Sequence, residues 1–253
     1  RKTFINNLIQ VCEDNGYDGV DLDWEFPKNG TDRANLNLLV MDMDSMFNAY
    51  NPDWLITMAV PTSNWSGQWH DFNTLKQHID FFNAMTYNMH GTWTNHNGHN
   101  SPLYQSPPND PEGSCHTGIN YLSIYRGIPK SQINMGVPFW GLEFNASEIN
   151  GAYTGDIRDV RYTNIPSLIG NGWTRKWDKD ALAPYLVNDE KTKILVYDDP
   201  ESMRLKAEYV IEKELGGMMI WALGYDQTSN GQELIRSIRR NYLSVESEDI
   251  HSV

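Results

Sequence analysis

The residues of this sequence best suited to chemistry are three carboxylic acids spaced two apart, Asp21, Asp23 and Glu25, within Tyr17-Asp18-Gly19-Val20-Asp21-Leu22-Asp23-Trp24-Glu25-Phe26-Pro27. Successive side chains of a strand point to opposite faces, so the three acids fall on one face and Val20, Leu22 and Trp24 on the other. Carboxyls stacked a few ångströms apart repel one another when ionised, and at least one proton is expected to be retained or shared near neutral pH. A retained proton makes a general acid. A strand acidic on one side and apolar on the other suits a parallel α/β barrel, with helices outside and catalytic groups at the carboxyl ends of the strands, where Glu25 lies. On spacing alone, a solvated acidic edge strand or a divalent-cation site accounts for the acids as well as catalysis does.

Such a strand needs elements to position it. Phe4, Ile5, Leu8, Ile9 and Cys12 recur at helical spacing and stop at Gly16, so a helix is expected to lead into the acidic strand. A second helix is predicted over 34–50, stopped by Asn51-Pro52-Asp53. Apolar strands are predicted over 54–60, 81–87, 133–139 and 217–221, and helices over 72–80, 121–128, 200–215 and 232–242. Asp198-Asp199-Pro200-Glu201-Ser202 reads as the N-cap of the third of these helices. Between 141 and 196 the alternation gives way to short mixed segments with scattered aromatics, read as a small inserted α+β subdomain with Trp173 and Trp177 in its core. The expected organisation is 1–140 and 197–243 as barrel parts, 141–196 as insertion and 244–253 as a loose tail.

The segment 88–114 is long, aperiodic and rich in Gly, Asn, His and Pro, the mark of a functional loop. It holds His90, His96 and His99 without a matching cysteine or a helical pair of histidines, so they are read as polar loop residues and no metal or cofactor is expected. Cys12 and Cys115 are too few for a disulfide framework, and Cys12, on an apolar helix face, reads as a buried thiol. A formal charge of −13 argues against nucleic acid, and no apolar run approaches the ~20 residues that span a bilayer. A neutral ligand fits better. The chain opens inside a helix, so the lack of a leader says nothing about secretion.

Asp18-Gly19-Val20-Asp21-Leu22-Asp23-Trp24-Glu25 resembles, without a gap, the DGxDxDxE of the fourth barrel strand of glycoside hydrolase family 18, the chitinases and their relatives. Met85-Thr86-Tyr87-Asn88 resembles the MxYD of the family's sixth strand, Met135-Gly136-Val137-Pro138-Phe139-Trp140-Gly141 the MGxPxYG of its seventh, and Trp221-Ala222-Leu223-Gly224-Tyr225-Asp226 the tryptophan motif of its eighth. The resemblance implies a (β/α)8 TIM-barrel type of which only about strands four to eight, five of the eight, are present. It implies hydrolysis of chitin, outside the cell, with Glu25 as proton donor, Asp23 and Asp21 behind it, Tyr87 on the substrate's acetamido group and Trp221 as an apolar floor. Met85, Trp140, Asn88, Trp65 and Trp93 become candidate substrate contacts, as does Trp69; Met85 and Trp140 suit core packing equally, and Asp18, out of parity, is expected to brace the strand. An endo-N-acetylglucosaminidase, a peptidoglycan-acting enzyme or an inactive chitin-binding lectin are the alternatives, the last disfavoured by the presence of Glu25.

Two departures from the family pattern have consequences. The family's first three strand-helix units have no counterpart here, so the sheet is expected to be left with unpaired edges and to cover them by self-association, the outcome expected first, by rearranged chain ends or against a partner. Asn88 stands where the family has Asp, which removes a titrating neighbour of the acidic cluster. Asn88→Asp is therefore expected to move the pH optimum, and superimposable pH profiles of the two proteins would refute the coupling.

Overall fold

In a computed structural model, which describes residues 1–107 and 110–240, the first helix runs over Lys2–Asn15 (α1) and ends at Gly16, whose φ of 65° suits a residue without Cβ. Two units are distinguished, each assembled from several stretches of chain. The first contains Arg1–Met85, Gly118–Asn134 and Leu215–Gly217; the second contains Thr86–Thr117, Met135–Glu214 and the described residues from Met218 on.

In the first unit the acidic strand is Gly19–Leu22 (β1), paired in parallel with Leu55–Val60 (β2), which pairs in parallel with Phe81–Ala84 (β3). Gly19 is required where it stands: a Cβ there would lie 1.9 Å from the Leu55 carbonyl oxygen. The crossover after β1 is the helix Gly30–Tyr50 (α2), which begins four residues before the apolar pattern does because Asn29 caps it, accepting a hydrogen bond from the Asp32 N–H. Its buried face is Leu36, Val40, Met43 and Phe47, spaced three and four apart. Two expectations need correction. The strand's alternation ends at Leu22, leaving Trp24 42% exposed rather than on a covered face, and α1 buries Ile5 and Cys12 while Phe4 stays half-exposed. The next strand, Ile133–Pro138 (β4), starts in this unit, where the Asn134 side-chain amide donates to that of Asn83 at 3.0 Å.

The second unit holds a five-stranded antiparallel sheet of Trp140–Asn145 (β5), Thr154–Arg161 (β6), Trp173–Asp178 (β7), Ala183–Asn188 (β8) and Ile194–Val196 (β9), in the order β6-β5-β9-β8-β7. This is the stretch expected to mix helix with strand. Its only helix is two single 3-10 turns, Tyr162–Asn164 and Pro166–Leu168, because its apolar residues alternate with polar ones and glycines with positive φ, Gly170 and Gly172, break the chain into short hairpin arms. Val160, Tyr162, Leu186 and Leu195 of this region pack with Val137, Met203 and Leu234 in one core, against which Trp173 is half-buried, whereas Trp177 lies under the Arg175 guanidinium.

The helix Pro200–Glu212 (α3) carries the expected cap: Asp199 Oδ1 accepts from the Ser202 N–H at 3.0 Å, and Ser202 Oγ accepts from the Asp199 N–H at 2.9 Å. It is followed by Gly217–Trp221 (β10), where the Trp221 carbonyl accepts from the Phe139 N–H at 2.8 Å. The closing helix expected over 232–242 is helical over 233–240; its last two positions and the expected loose tail lie outside the described residues. Cys12 and Cys115 are buried free thiols, and no helix among the described residues is long and apolar enough to cross a membrane.

Candidate active site

In the first unit, Asp21 sits in register with Thr57, whose hydroxyl donates to Asp21 Oδ1 together with the Asn83 amide at 2.8 Å. Asn83 is itself held by Asn134, so a polar ladder crossing the strand faces fixes that oxygen as an acceptor. Asp23 and Glu25 lie past the last paired residue of β1 and are solvent-accessible. Partial burial, and then the Asp21 charge, raise the Asp23 carboxyl above its ordinary range; partial burial, and then the Asp23 charge, raise that of Glu25. Repulsion is thus passed along the series towards Glu25, the last acid of the three. Trp65, 76% exposed beyond the end of β2, stands edge-on to Phe26 with centroids 5.8 Å apart, and Trp69 is half-buried. Met85 is half-buried, its N–H donating to the Val60 carbonyl. The Asp18 carbonyl accepts from the Leu55 N–H, so its backbone braces the strand start while its side chain is exposed.

In the second unit a cleft of about 520 Å³ is open to solvent. Two exposed indoles, Trp93 and Trp221, and the largely buried Trp140 contribute to its lining. One wall is the face shared by β5 and β6, where Trp140 is in register with Arg161 and Leu142 with Asp159. Asn88 reaches the cleft with φ of 56°, a left-handed conformation that asparagine tolerates, and its N–H donates to Asn100 Oδ1 at 2.9 Å. Tyr87 packs edge-to-face on Trp140 with centroids 5.1 Å apart. Asp159 and Arg161 escaped the sequence reading. With Ile157 they share one face of β6 at spacing two, and that alternation was the available signal.

The loop histidines are not merely polar loop groups. His99 meets Asp178 at 3.1 Å, while His90 and His96 converge on one another and on Asp110, a residue with no sequence signal for it.

The model of the family "Glycosyl hydrolases family 18" matches residues 1–226. The chain belongs to glycoside hydrolase family 18. It is 33% identical to a probable endochitinase of Caenorhabditis elegans over 92% of this chain, and 28% identical to chitinase A1 of Niallia circulans over 94% of it. It spans 42% and 39%, respectively, of the lengths of these two relatives. Among solved structures, an immunomodulatory active chitinase of Trichuris suis matches with a TM-score of 0.87 and 27% identity, covering 94% of this chain and 73% of that one. The second catalytic domain of an Ostrinia furnacalis group II chitinase matches with a TM-score of 0.87 and 26% identity, covering 96% and 71%. The fold is accordingly the family's TIM-barrel type, with β1, β2, β3, β4 and β10 as its fourth to eighth strands and β5 to β9 inserted between the last two.

Proposed function

We propose that this family 18 chain hydrolyses β-1,4-linked N-acetylglucosamine polymers, chitin first, outside the cell and with retention at the anomeric carbon. The observation that carries the reading is the Asp21, Asp23, Glu25 series at the end of β1, in which partial burial and then the charge of the preceding acid raise the carboxyls of Asp23 and Glu25. Family 18 is an exception to the two-carboxylate mechanism of most glycosidases. Glu25 gives its proton to the glycosidic oxygen as the C–O bond breaks, and the substrate's own acetamido carbonyl oxygen bonds to the anomeric carbon, forming an oxazolinium ion. Water then opens the ion, losing its proton to the Glu25 carboxylate. Asp23 accepts the acetamido N–H and balances the developing positive charge, with Asp21 behind it. Tyr87 donates its hydroxyl to the acetamido oxygen, and Trp221 lies under the apolar face of the sugar. Asn88, Trp93 and Trp140, with Met85 and Trp65 of the first unit, complete the proposed substrate contacts.

Comparing a chromogenic chitobioside with an N-glycan and a peptidoglycan fragment tests the substrate. Faster hydrolysis of the chitobioside is expected; a preference for either other substrate points to the corresponding enzyme, and binding without hydrolysis to a lectin-like role.

The reading includes self-association. Among the described residues β1 has β2 on one side and no strand on the other, and Met218, Met219 and Ile220 of β10 are only half-buried, whereas barrel strands are normally covered on both faces. The isolated 253-residue chain is therefore expected to elute as an oligomer in size-exclusion chromatography with light scattering. A monodisperse monomer would refute this.

A further inference from the structure

The loop between β3 and β4 brings three potential metal ligands to one point. His90 Nε2 lies 3.1 Å from His96 Nε2, and Asp110 Oδ2 lies 3.3 Å from the first and 3.6 Å from the second. Bonds of ~2.0–2.1 Å to a tetrahedral ion place neighbouring donor atoms roughly 3.3–3.4 Å apart, so this triangle already has the size of one face of a zinc tetrahedron.

Hydrogen bonding alone accounts poorly for the arrangement. His90 Nδ1 faces the His99 carbonyl oxygen at 2.9 Å, which can only accept, so that nitrogen carries the proton and the neutral ring turns a lone pair from Nε2 towards the cluster. His96 Nδ1 lies 3.0 Å from Asn95 Oδ1, and with that oxygen accepting, the lone pair of His96 Nε2 also faces the cluster. The side chain of Asp110 is 2% exposed, and its Oδ2 has no hydrogen-bond partner despite the two imidazoles beside it. Three electron-pair donors thus point at one another in a nearly dry site, an arrangement that repels unless a cation stands among them. The outward hydrogen bonds of both rings are those that orient metal-bound histidines.

We propose that His90, His96 and Asp110 bind one divalent transition-metal ion, zinc by preference. Two imidazoles and one carboxylate select such an ion over calcium or magnesium, which take oxygen ligands. His96, 22% exposed, marks the side from which ion and water enter. The ion's role is structural. It fastens a loop without regular structure at three points, and that loop presents Asn88 and Trp93 to the cleft. His90 also lines the cleft, which ties the ion to the shape of that wall.

The test is calorimetric titration of the chelator-treated full chain with Zn²⁺, and with Co²⁺ followed by visible absorption. One equivalent of Zn²⁺ is expected to bind, raising the thermal midpoint, and Co²⁺ is expected to give the intense d–d bands of a tetrahedral site. His96→Ala and Asp110→Asn are each expected to weaken binding at least ~10–100-fold. The competing explanation is a His96 Nε2–H that donates to His90 Nε2 or Asp110 Oδ2 and needs no metal. Absence of stoichiometric uptake by the folded chain would establish it, and uptake undiminished in both variants would place the ion elsewhere; either result overturns the proposal. Because uptake is read without substrate, it stands or falls independently of the hydrolytic reading.

Discussion

Glu25→Gln is expected to lower turnover by about 10²–10⁴-fold while oligosaccharide binding survives, because the amide keeps the shape of the acid and has no proton to transfer. The sign of the pH dependence follows from the raised Glu25 carboxyl. The donor must be protonated, so activity falls as pH rises through its pKa, and that limb belongs above the range of an ordinary glutamate. The causes of the shift are partial burial and then the Asp23 charge, so Asp23→Asn removes the second and is expected to move the limb to lower pH in whatever activity remains. Steady-state rates on a chitobioside, with binding measured separately, check both points. A Glu25→Gln turnover within about threefold of the parent would remove Glu25 as donor, since a general acid contributes far more than that.

Lys206→Met is expected to be strongly destabilising. The Lys206 ammonium is fully buried and 2.8 Å from Asp198, whose side chain is 1% exposed. Lys206 also donates to Ser101 Oγ at 2.8 Å, Ser101 donates to the Thr86 carbonyl at 2.6 Å, and Ser202 Oγ donates to Asp198 at 2.7 Å. Removing the lysine leaves a carboxylate in a dry site with one hydroxyl donor, a change that typically costs about 3–5 kcal/mol against total stabilities of about 5–15 kcal/mol. Replacing both partners removes the stranded charge, so Asp198→Leu combined with Lys206→Met is expected to recover most of the loss. Urea denaturation of parent, single and double variants is the check. A single variant within about 1 kcal/mol of the parent, or a double variant no better than the single, would show that the pair does not hold this region together.

The sequence made some of this legible because local periodicity carries it. The acids at spacing two, the helix stop at Gly16 and the cap at Asp199 each depend on residues a few positions apart. The strand end at Leu22 was not legible, since the spacing of residue types along a sequence does not record where backbone pairing stops. Phe4 obeys helical spacing yet lies half in solvent, because periodicity selects a face without measuring the width of what covers it. The Lys206–Asp198 pair and the meeting of Asp110 with His90 were hidden for another reason. Lysine eight residues after an aspartate reads as ordinary helix polarity, and twenty residues of aperiodic loop carry no rule for which ends meet.

The chain passes between the two units five times, after Met85, Thr117, Asn134, Glu214 and Gly217. A ribosome makes such a protein in one direction, at about 5–20 residues per second. The strands of the acidic half are made well before the last stretch of their unit, Leu215–Gly217. Neither unit can therefore be completed during synthesis before nearly all of this sequence has left the exit tunnel, and the early strands must wait in a cell with apolar surface uncovered. Slowing translation between Asn134 and Leu215 is then expected to lower the soluble yield of this chain more than slowing it after Gly217, because the first leaves the acidic unit without its last stretch for longer.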